Sequence, residues 1–434
     1  MSVPARPPFA ALQHRNFRLI WMGQLVSMAG SMMQSAAILW HVSLLVDPSR
    51  RGLALGMVGL VRVVPIVAFS LVGGVMADAH DRRRVLLITQ TGMALCATVL
   101  AVVSFGGITE VWAIYALAAG GAAFGAFDAP ARQALIPTLV PVEHLPNAIS
   151  LNAIVFQAAS VIGPALGGLL IGEAGVGAAY AVNAVSFLFV IGALLLMRDV
   201  PERADGGARK VNFGAALEGL RFVFREPLIR STMLLDFFAT FFASATALLP
   251  IYAQDILHVG AHGYGVLAAA PSVGAILASL LMVRLIDHIE RRGPVLLWSI
   301  VVYGLATVLF GVSRNFSITF LCLALTGAAD TVSMVIRNLV RQLTTPDSMR
   351  GRMTSVNMIF FMGGPQLGEL EAGLVANAWG PVVSVVSGGI GCLIVTGWVA
   401  ASTPQLRRYR ASVGSDPTTT RLRGQTPVRS DSTP

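Results

Sequence analysis

Two short charged clusters interrupt a chain of 434 residues that is otherwise mostly apolar. The first has the sequence DAHDRR and the second DHIERR, so both place an acid, a second acid and two arginines at the same spacing. Carboxylates and guanidinium groups at this spacing can form salt bridges that hold neighbouring helix ends together and that can break again. The candidate gating residues in these clusters are Asp78, Asp81, Arg82, Arg83, Asp287, Glu290, Arg291 and Arg292.

Several single charges lie inside the apolar segments, where each costs roughly 2.5–3.5 kcal/mol and therefore suggests a function. Asp236 and Asp330 are candidates for proton or cationic-substrate coupling, with a structural ion pair as the alternative, since Arg337 lies on the same helical face as Asp330. Asp128 is expected to pair locally with Arg132, four residues later.

Three further charges and one polar stripe complete the candidate coupling residues. Arg62 lies near the middle of its apolar segment and could bind an anion or an acid. Glu369 and Glu371 lie too close in sequence to share one helical face, and one of them could instead reach the outer headgroups. Gln24 and Gln34 belong to a polar stripe at helical spacing that is expected to face a central cavity.

The composition points to lipid as the main solvent of the chain. Hydrophobic residues make up 55% of it and charged residues only 12%, against about 25% in soluble domains. The net charge of +9 does not indicate nucleic acid, because the basic residues form short clusters between apolar runs. No P-loop, catalytic triad pattern or metal-ligand spacing is present, so neither enzymatic catalysis nor a cofactor or metal is expected.

Twelve apolar segments are long enough to cross a bilayer core of about 30 Å as helices. Nearly all arginines fall in the segments that share a side with the N-terminus, whereas the opposite loops carry only Arg50, Arg51 and Arg314. This bias predicts that both termini are cytoplasmic. The predicted spans are 18–46, 53–77, 85–106, 111–133, 146–171, 176–197, 229–254, 263–285, 293–313, 316–340, 353–376 and 381–402.

The longest polar stretch divides the spans into two sets of six. We therefore predict an N-terminal bundle at 1–197, a cytoplasmic linker with an interfacial helix at 198–228, a C-terminal bundle at 229–403 and a disordered tail at 404–434. Arginines at the start of that tail are expected to touch anionic headgroups.

The sequence GPALGGLLIG at 163–172 comes back as GPQLGELEAG at 364–373. Pro164 removes a helix hydrogen bond and should bend its helix. Gly163, Gly167 and Gly168 offer a smooth face for a sliding or tightly packed partner helix, and a generic small-residue packing face is the alternative. The repeat indicates two related halves, as in transporters that alternate between two openings.

The loop GGVMADAHDRRR resembles motif A of the major facilitator superfamily at Gly74, Asp78, Arg82 and Arg83, whereas Ala79 and Asp81 depart from that motif. Residues 127–170 resemble the macrolide-efflux and siderophore-exporter branch, and GPALGG resembles the end of motif C of exporters. The resemblance implies an all-α membrane protein with twelve transmembrane helices in two pseudo-symmetric six-helix bundles.

These observations predict a monomeric, multi-pass transporter of the bacterial plasma (inner) membrane, with the bilayer, protons and a small molecule as its partners. Its expected activity is export of a small amphipathic compound of the drug, macrolide or siderophore type, by alternating access and proton antiport. Two alternatives remain: a lipid flippase on the same fold, and a non-transporting receptor or assembly factor. In the receptor case, replacing both Asp78 and Asp287 should leave activity intact.

Overall fold

The computed structural model describes residues 9–79, 81–107, 110–198, 220–242, 244–346 and 349–410. The side chains of residues 70–79, 245, 350–352, 354–356 and 358–362 lie outside this description. All regular secondary structure in the described residues is helical. The predicted disordered tail beyond residue 410 and most of the predicted interfacial helix therefore lie outside the described residues, although residues 220–225 are helical.

The described part of the N-terminal half contains five long helices. The fifth has 52 residues and would be about 78 Å long at 1.5 Å per residue, which is far more than a bilayer core requires. It breaks at Gly175, whose φ of 80° is open to glycine and rarely to other residues. Its two legs correspond to the predicted fifth and sixth spans. The helices are α1 (Arg15–Leu45), α2 (Arg51–Ala79), α3 (Arg82–Phe105), α4 (Val111–Leu135) and α5 (Leu145–Leu196).

The C-terminal half contributes six longer helices within the described residues. In each half short connections join successive helices, so that sequential neighbours can pack side by side. They are α6 (Pro227–Phe242), α7 (Gly260–Leu285), α8 (Arg292–Val312), α9 (Phe316–Thr344), α10 (Arg350–Trp379) and α11 (Pro381–Ser402).

The predicted span over 229–254 is present as one apolar segment, Pro227–Ile256, but it is not a regular α-helix throughout. Helix α6 ends at Phe242, and the chain continues as short turns over Ala245–Leu248 and Leu249–Ile251, then as a π-helical segment over Tyr252–Ile256. The hydroxyl of Ser244 donates to the carbonyl oxygen of Thr240, which competes with the helical ladder. Pro250 lacks an amide donor and cannot continue a regular helix from the preceding turn.

Nine helices in the described residues are long and apolar enough to cross a membrane, with the two legs of α5 counted as one. Helices α1 and α10 are outside this set, although they have 31 and 30 residues. The prediction of an all-helical membrane protein is confirmed by these elements.

The packing of the helices repeats between the halves. In the N-terminal half, α1 packs on α5, α2 packs on α4, and α3 packs on both α4 and α5. In the C-terminal half, α7 packs on α9, α8 packs on α9 and α11, and α10 packs on α6 and α11. The halves meet through two main pairs, α2 with α10 and α5 with α7. The largest buried apolar cluster extends across both halves and includes Tyr180, Tyr252 and Tyr264.

Candidate functional site

Glycines on one face of α2 form the close contact with α10. A Cβ atom on Gly373 would lie 2.6 Å from the Cα atom of Gly56, and one on Gly52 would lie 2.9 Å from the backbone nitrogen of Asn377. Real Cβ atoms do not approach this closely, so the backbones of the two helices meet only because these positions are glycine. The sequence analysis missed Gly52, Gly56 and Gly59, although their spacing of three and four residues was a readable signal.

The carboxylate of Glu369 lies in this same interface. A Cβ atom on Gly59 would lie 2.9 Å from Oε2 of Glu369, and this oxygen is buried without a hydrogen-bond partner among the described residues. Arg62 of α2, one turn further along, lies near Glu369 of the other half, although these two described side chains form no ion pair within 4.0 Å. The structure therefore brings together two residues that the sequence suggested only separately.

Two tyrosine hydroxyls lie in the electrostatic neighbourhood of Arg62. Tyr180 belongs to the second leg of α5 and Tyr264 to α7, and both hydroxyl groups lie near the guanidinium group of Arg62. Tyr264 also donates a hydrogen bond of 2.9 Å to the carbonyl oxygen of Ala36, which crosses between the halves. The pair of Arg62 and Glu369 is thus surrounded by groups that join the two halves.

The interface between α5 and α7 is also glycine-lined but contains no acid at the corresponding position. A Cβ atom on Gly168 would lie 2.6 Å from the Cα atom of Gly265. In the two repeat copies, Gly168 of GPALGG occupies the position of Glu369 in GPQLGE. The two related interfaces therefore differ by one buried carboxylate.

The predicted smooth face of α5 divides between two partners. Gly163 and Gly167 face α1, since their Cβ atoms would lie 2.5 Å from the carbonyl oxygen of Ala29 and 3.2 Å from Cγ of Met33. Only Gly168 of this set faces the other half. Pro164 lies inside α5 between these contacts.

Polar contacts between the halves are concentrated where α1 ends and α2 begins. Nη1 of Arg51 lies 3.0 Å from a carboxylate oxygen of Asp255, and Nε2 of Gln254 donates to Oγ of Ser43 at 2.7 Å. The rings of Trp40 and Tyr264 stack with centroids 5.1 Å apart. This end is opposite to the one that carries the charged clusters, and no periodicity in the sequence indicated these contacts.

Replacing Gly168 with valine is expected to weaken closure at this end. The branched side chain cannot fit against Gly265, and overpacking costs about 1–3 kcal/mol, roughly a 5- to 150-fold change in the equilibrium. The measurement uses a reporter cysteine at Ser43 in a background without the three native cysteines. This cysteine should react faster with a membrane-impermeant maleimide when Gly168→Val is present than when Gly168 is retained. Gly192→Val is the control, since nothing lies within 4 Å of its added Cβ; equal labelling in both variants would contradict the prediction.

A second charged group lies wholly inside the C-terminal half. Nη2 of Arg337 lies 2.8 Å from Asp236 and 3.4 Å from Asp330, and its Nη1 donates to Oγ of Ser333 at 2.7 Å. The side chains of Arg337 and Asp236 are 4% and 6% exposed, whereas that of Asp330 is 42% exposed. Arg337 thus forms ion pairs with two carboxylates, one buried and one partly exposed to solvent.

Asp330 lies at a cavity of about 120 Å³ between α7, α8 and α9. At roughly 30 Å³ per water, this volume suits a few waters or a small cation. The cavity combines one carboxylate with several hydroxyl groups, so it can hydrate or bind a positive charge. Its polar lining consists of Thr246, Tyr303, Thr307, Thr326 and Asp330.

The expected local pair of Asp128 and Arg132 is present. The carboxylate of Asp128 also accepts hydrogen bonds from Nε2 of Gln90 at 2.7 Å and from Oγ1 of Thr89 at 3.1 Å. These contacts join α3 to α4 and compensate the buried charge.

Residues of the first charged cluster form hydrogen bonds at the ends of three helices in their own half. Asp81 caps α3 by accepting from the backbone nitrogen of Arg83 at 2.9 Å. Side chains of Arg82 and Arg83 donate to the carbonyl oxygens of Ala134 and Leu195, at 2.8 and 3.2 Å, near the ends of α4 and α5. Cations are favourable at helix C-termini, so these contacts stabilise the half itself.

In the described residues neither Arg82 nor Arg83 forms an ion pair with an acid of the other half, so the gating role of this cluster stays a prediction. The surroundings of Gly74 and the side chain of Asp78 lie outside this description. In the second cluster Asp287, Glu290 and Arg291 are exposed, and Arg292 begins α8.

Gln24 and Gln34, which the sequence placed on one polar stripe, lie in different environments. Gln24 is 2% exposed, because α1 packs tightly on α5 at this level. Oε1 of Gln34 accepts a hydrogen bond of 2.7 Å from Asn183 of α5. Glu371 is partly buried on α10, away from the contact made by Glu369.

A family model described as "Transmembrane secretion effector" matches residues 6–421 of the chain. The chain belongs to this family. The family lies in the major facilitator superfamily, so the resemblance inferred from the charged loop and the glycine motif is confirmed.

Members of the family and solved transporter structures resemble the chain over nearly its whole length. The protein "Enterobactin exporter EntS" of Salmonella choleraesuis (strain SC-B67) is 27% identical over 398 residues, which cover 92% of this chain and 94% of that protein. The same values hold for the protein of that name from Escherichia coli O81 (strain ED1a).

Two crystal structures show the shared fold. A POT family transporter in complex with 5-aminolevulinic acid superposes with a TM-score of 0.71 at 9% identity, covering 90% of this chain and 96% of that one. A bacterial homologue of the iron transporter ferroportin, in an inward-facing state, gives 0.66 at 16% identity, with coverages of 89% and 99%. The secretion-effector chain thus has a transporter fold, and it is a multi-pass membrane protein.

Proposed function

We propose that the protein exports a small amphipathic organic compound across the bacterial inner membrane by alternating access, with proton antiport as the energy source. The observation that carries this proposal is the pair of related, glycine-lined contacts that join the halves at one end, with Oε2 of Glu369 buried at one of them and Arg62 nearby. Similarity to enterobactin exporters supports the outward direction and a siderophore- or drug-sized substrate.

The proposed topology has twelve crossings in two six-helix bundles, and both termini are cytoplasmic. Counting the legs of α5 separately and adding α1 and α10 to the nine apolar helices gives this arrangement. The arginine bias then places the contact between Arg51 and Asp255 on the outer side. The described conformation is accordingly proposed to be closed to the outside, with the charged clusters at its cytoplasmic end.

The buried carboxylates provide a plausible route for coupling. When the outer ends of the halves separate, Glu369 leaves Arg62 and gains access to external protons. Neutralising the carboxylate removes most of its desolvation cost, which favours renewed closure of the glycine contacts. A proton that crosses with the membrane potential contributes about 2.3 kcal/mol per 100 mV.

Asp330 and Asp236 form the second proposed coupling group. Because both carboxylates share Arg337, a proton or a cationic substrate at the exposed Asp330 would change how firmly Arg337 holds Asp236. The cavity beside Asp330 gives such a cation a place to bind.

The clusters around Asp78 and Asp287 are proposed to hold the cytoplasmic ends together in the opposite conformation. For Arg82 and Arg83, closure would exchange carbonyl contacts in their own half for carboxylate contacts across the interface. Since the observed carbonyl contacts are not fully buried, giving them up should cost little, as a gate requires.

Accumulation of labelled compounds in cells with and without the protein tests the function. We expect several-fold lower accumulation of at least one siderophore- or drug-like compound in cells that contain the protein, and loss of this difference when a protonophore is added. Equal accumulation across the whole panel would contradict export. A difference that survives the protonophore would contradict proton antiport while leaving export itself supported.

A further inference from the structure

A basic pocket lies at the start of α8, away from both candidate coupling groups. Four arginines from two separate stretches of the chain surround it, and its volume is about 360 Å³. No acid contributes to its lining. The lining residues are Arg291, Pro294, Arg407, Arg408, Tyr409 and Arg410.

The pocket is built by docking of the chain that follows α11 onto the first turn of α8. Leu406 is fully buried, and the backbone nitrogen of Gly293 donates a hydrogen bond of 3.1 Å to the carbonyl oxygen of Tyr409. A Cβ atom on Gly293 would lie 1.7 Å from the carbonyl oxygen of Leu406, so this docking requires glycine. The arginines are therefore held on an anchored segment.

The charges of the pocket are not compensated within the described part of the protein. The ion pairs found there involve none of the four arginines. Arg291 also occupies the N-cap position of α8 without a side-chain capping bond, and the helix dipole favours an anion there. All four arginines are exposed, and several guanidinium groups lining one pocket can together bind the oxygens of a phosphate group.

We propose that this pocket binds a phosphate group, carried either by an anionic phospholipid of the adjacent leaflet or by a soluble phosphate compound. A basic pocket at the end of transmembrane helices is a recognised arrangement for anionic headgroups. The ligand would join the second charged cluster, through Arg291, to the segment after α11. The inference is independent of the transported substrate.

The test measures lipid retention by native mass spectrometry of the purified full-length protein. The probes are cardiolipin, phosphatidylglycerol and phosphatidylcholine, and inorganic phosphate is added in a separate titration monitored by thermal stability. Each arginine near an anionic surface is worth roughly a fivefold change in binding. Arg291→Gln combined with Arg407→Gln should therefore weaken retention of anionic lipid on the order of tenfold.

Arg198→Gln is the matched control, because Arg198 is an exposed arginine near the end of α5 in the other half. Its retention of anionic lipid should equal that of the unmodified protein. Gly293→Val should reproduce the loss without removing any charge, since it displaces Leu406 from the first turn of α8.

The outcomes separate the two sources of phosphate. Arginine-dependent retention of cardiolipin or phosphatidylglycerol, but not phosphatidylcholine, identifies a lipid site. Arginine-dependent stabilisation by inorganic phosphate without selective lipid retention identifies a site for soluble phosphate. Retention and stabilisation that are unchanged in the double variant, or lowered equally by Arg198→Gln, would overturn the proposal, and transport assays have no bearing on either result.

Discussion

Glu369→Gln is expected to abolish proton-driven export while leaving the protein folded. The glutamine keeps the size of the side chain at the interface of α2 and α10 but cannot take up and release a proton. A potential of 100 mV supports roughly a fiftyfold concentration ratio per proton, so losing this coupling should lower the accumulation ratio by on the order of tenfold or more. Uptake of the substrate into inverted membrane vesicles under an imposed proton gradient measures the effect.

Glu371→Gln is the matched control for this experiment. It makes the same chemical change two residues later, on a different face of α10. It should retain most of the gradient-driven uptake. Equal loss in both variants, or unchanged uptake in Glu369→Gln, would show that the carboxylate of Glu369 does not couple transport to protons.

Arg337→Leu is expected to have the largest effect on stability. The substitution leaves the carboxylate of Asp236 buried without its cation, and breaking a buried ion pair in this way typically costs about 3–5 kcal/mol. Screening by solvent should not reduce this cost, because both side chains are nearly inaccessible. The measurement is the melting temperature of the purified protein, together with the folded yield from membranes.

Two further variants show whether the effect belongs to the ion pair. Adding Asp236→Asn to Arg337→Leu should recover much of the lost stability, because the uncompensated charge is removed. Arg230→Leu, at an exposed position on α6, should change the melting temperature little. Full stability in Arg337→Leu alone would contradict the assignment of Asp236 as the partner of a buried ion pair.

The fold class and the related halves could be predicted from the sequence because membrane solvation imposes strong patterns. Long apolar runs, the repeated charged loops and the repeated glycine motif each follow from a local physical requirement. The irregular turns inside the span Pro227–Ile256 were not predicted, since they depend on Ser244 and Pro250 in a segment whose composition remains apolar. Hydropathy alone does not detect such a change of helix type.

The candidate site was predictable only as separate residues. Arg62 and Glu369 each stood out as charges in apolar segments, but their meeting depends on how α2 packs on α10. The same holds for Asp236, which joins Asp330 on Arg337 from a different helix. Pairing between distant helices is a tertiary property, whereas the local pair of Asp128 and Arg132 follows from helical spacing alone.

The single difference between Gly168 and Glu369 has a geometric consequence for how the molecule could move. A charge change at Glu369 alters the adhesion of α2 to α10 but leaves the bare backbone contact of α5 with α7 unaffected. If only one of the two contacts between the halves weakens, the halves can separate there while the other contact stays in place. We therefore expect the outer side to open by a rigid-body rotation whose hinge lies at Gly168 and Gly265.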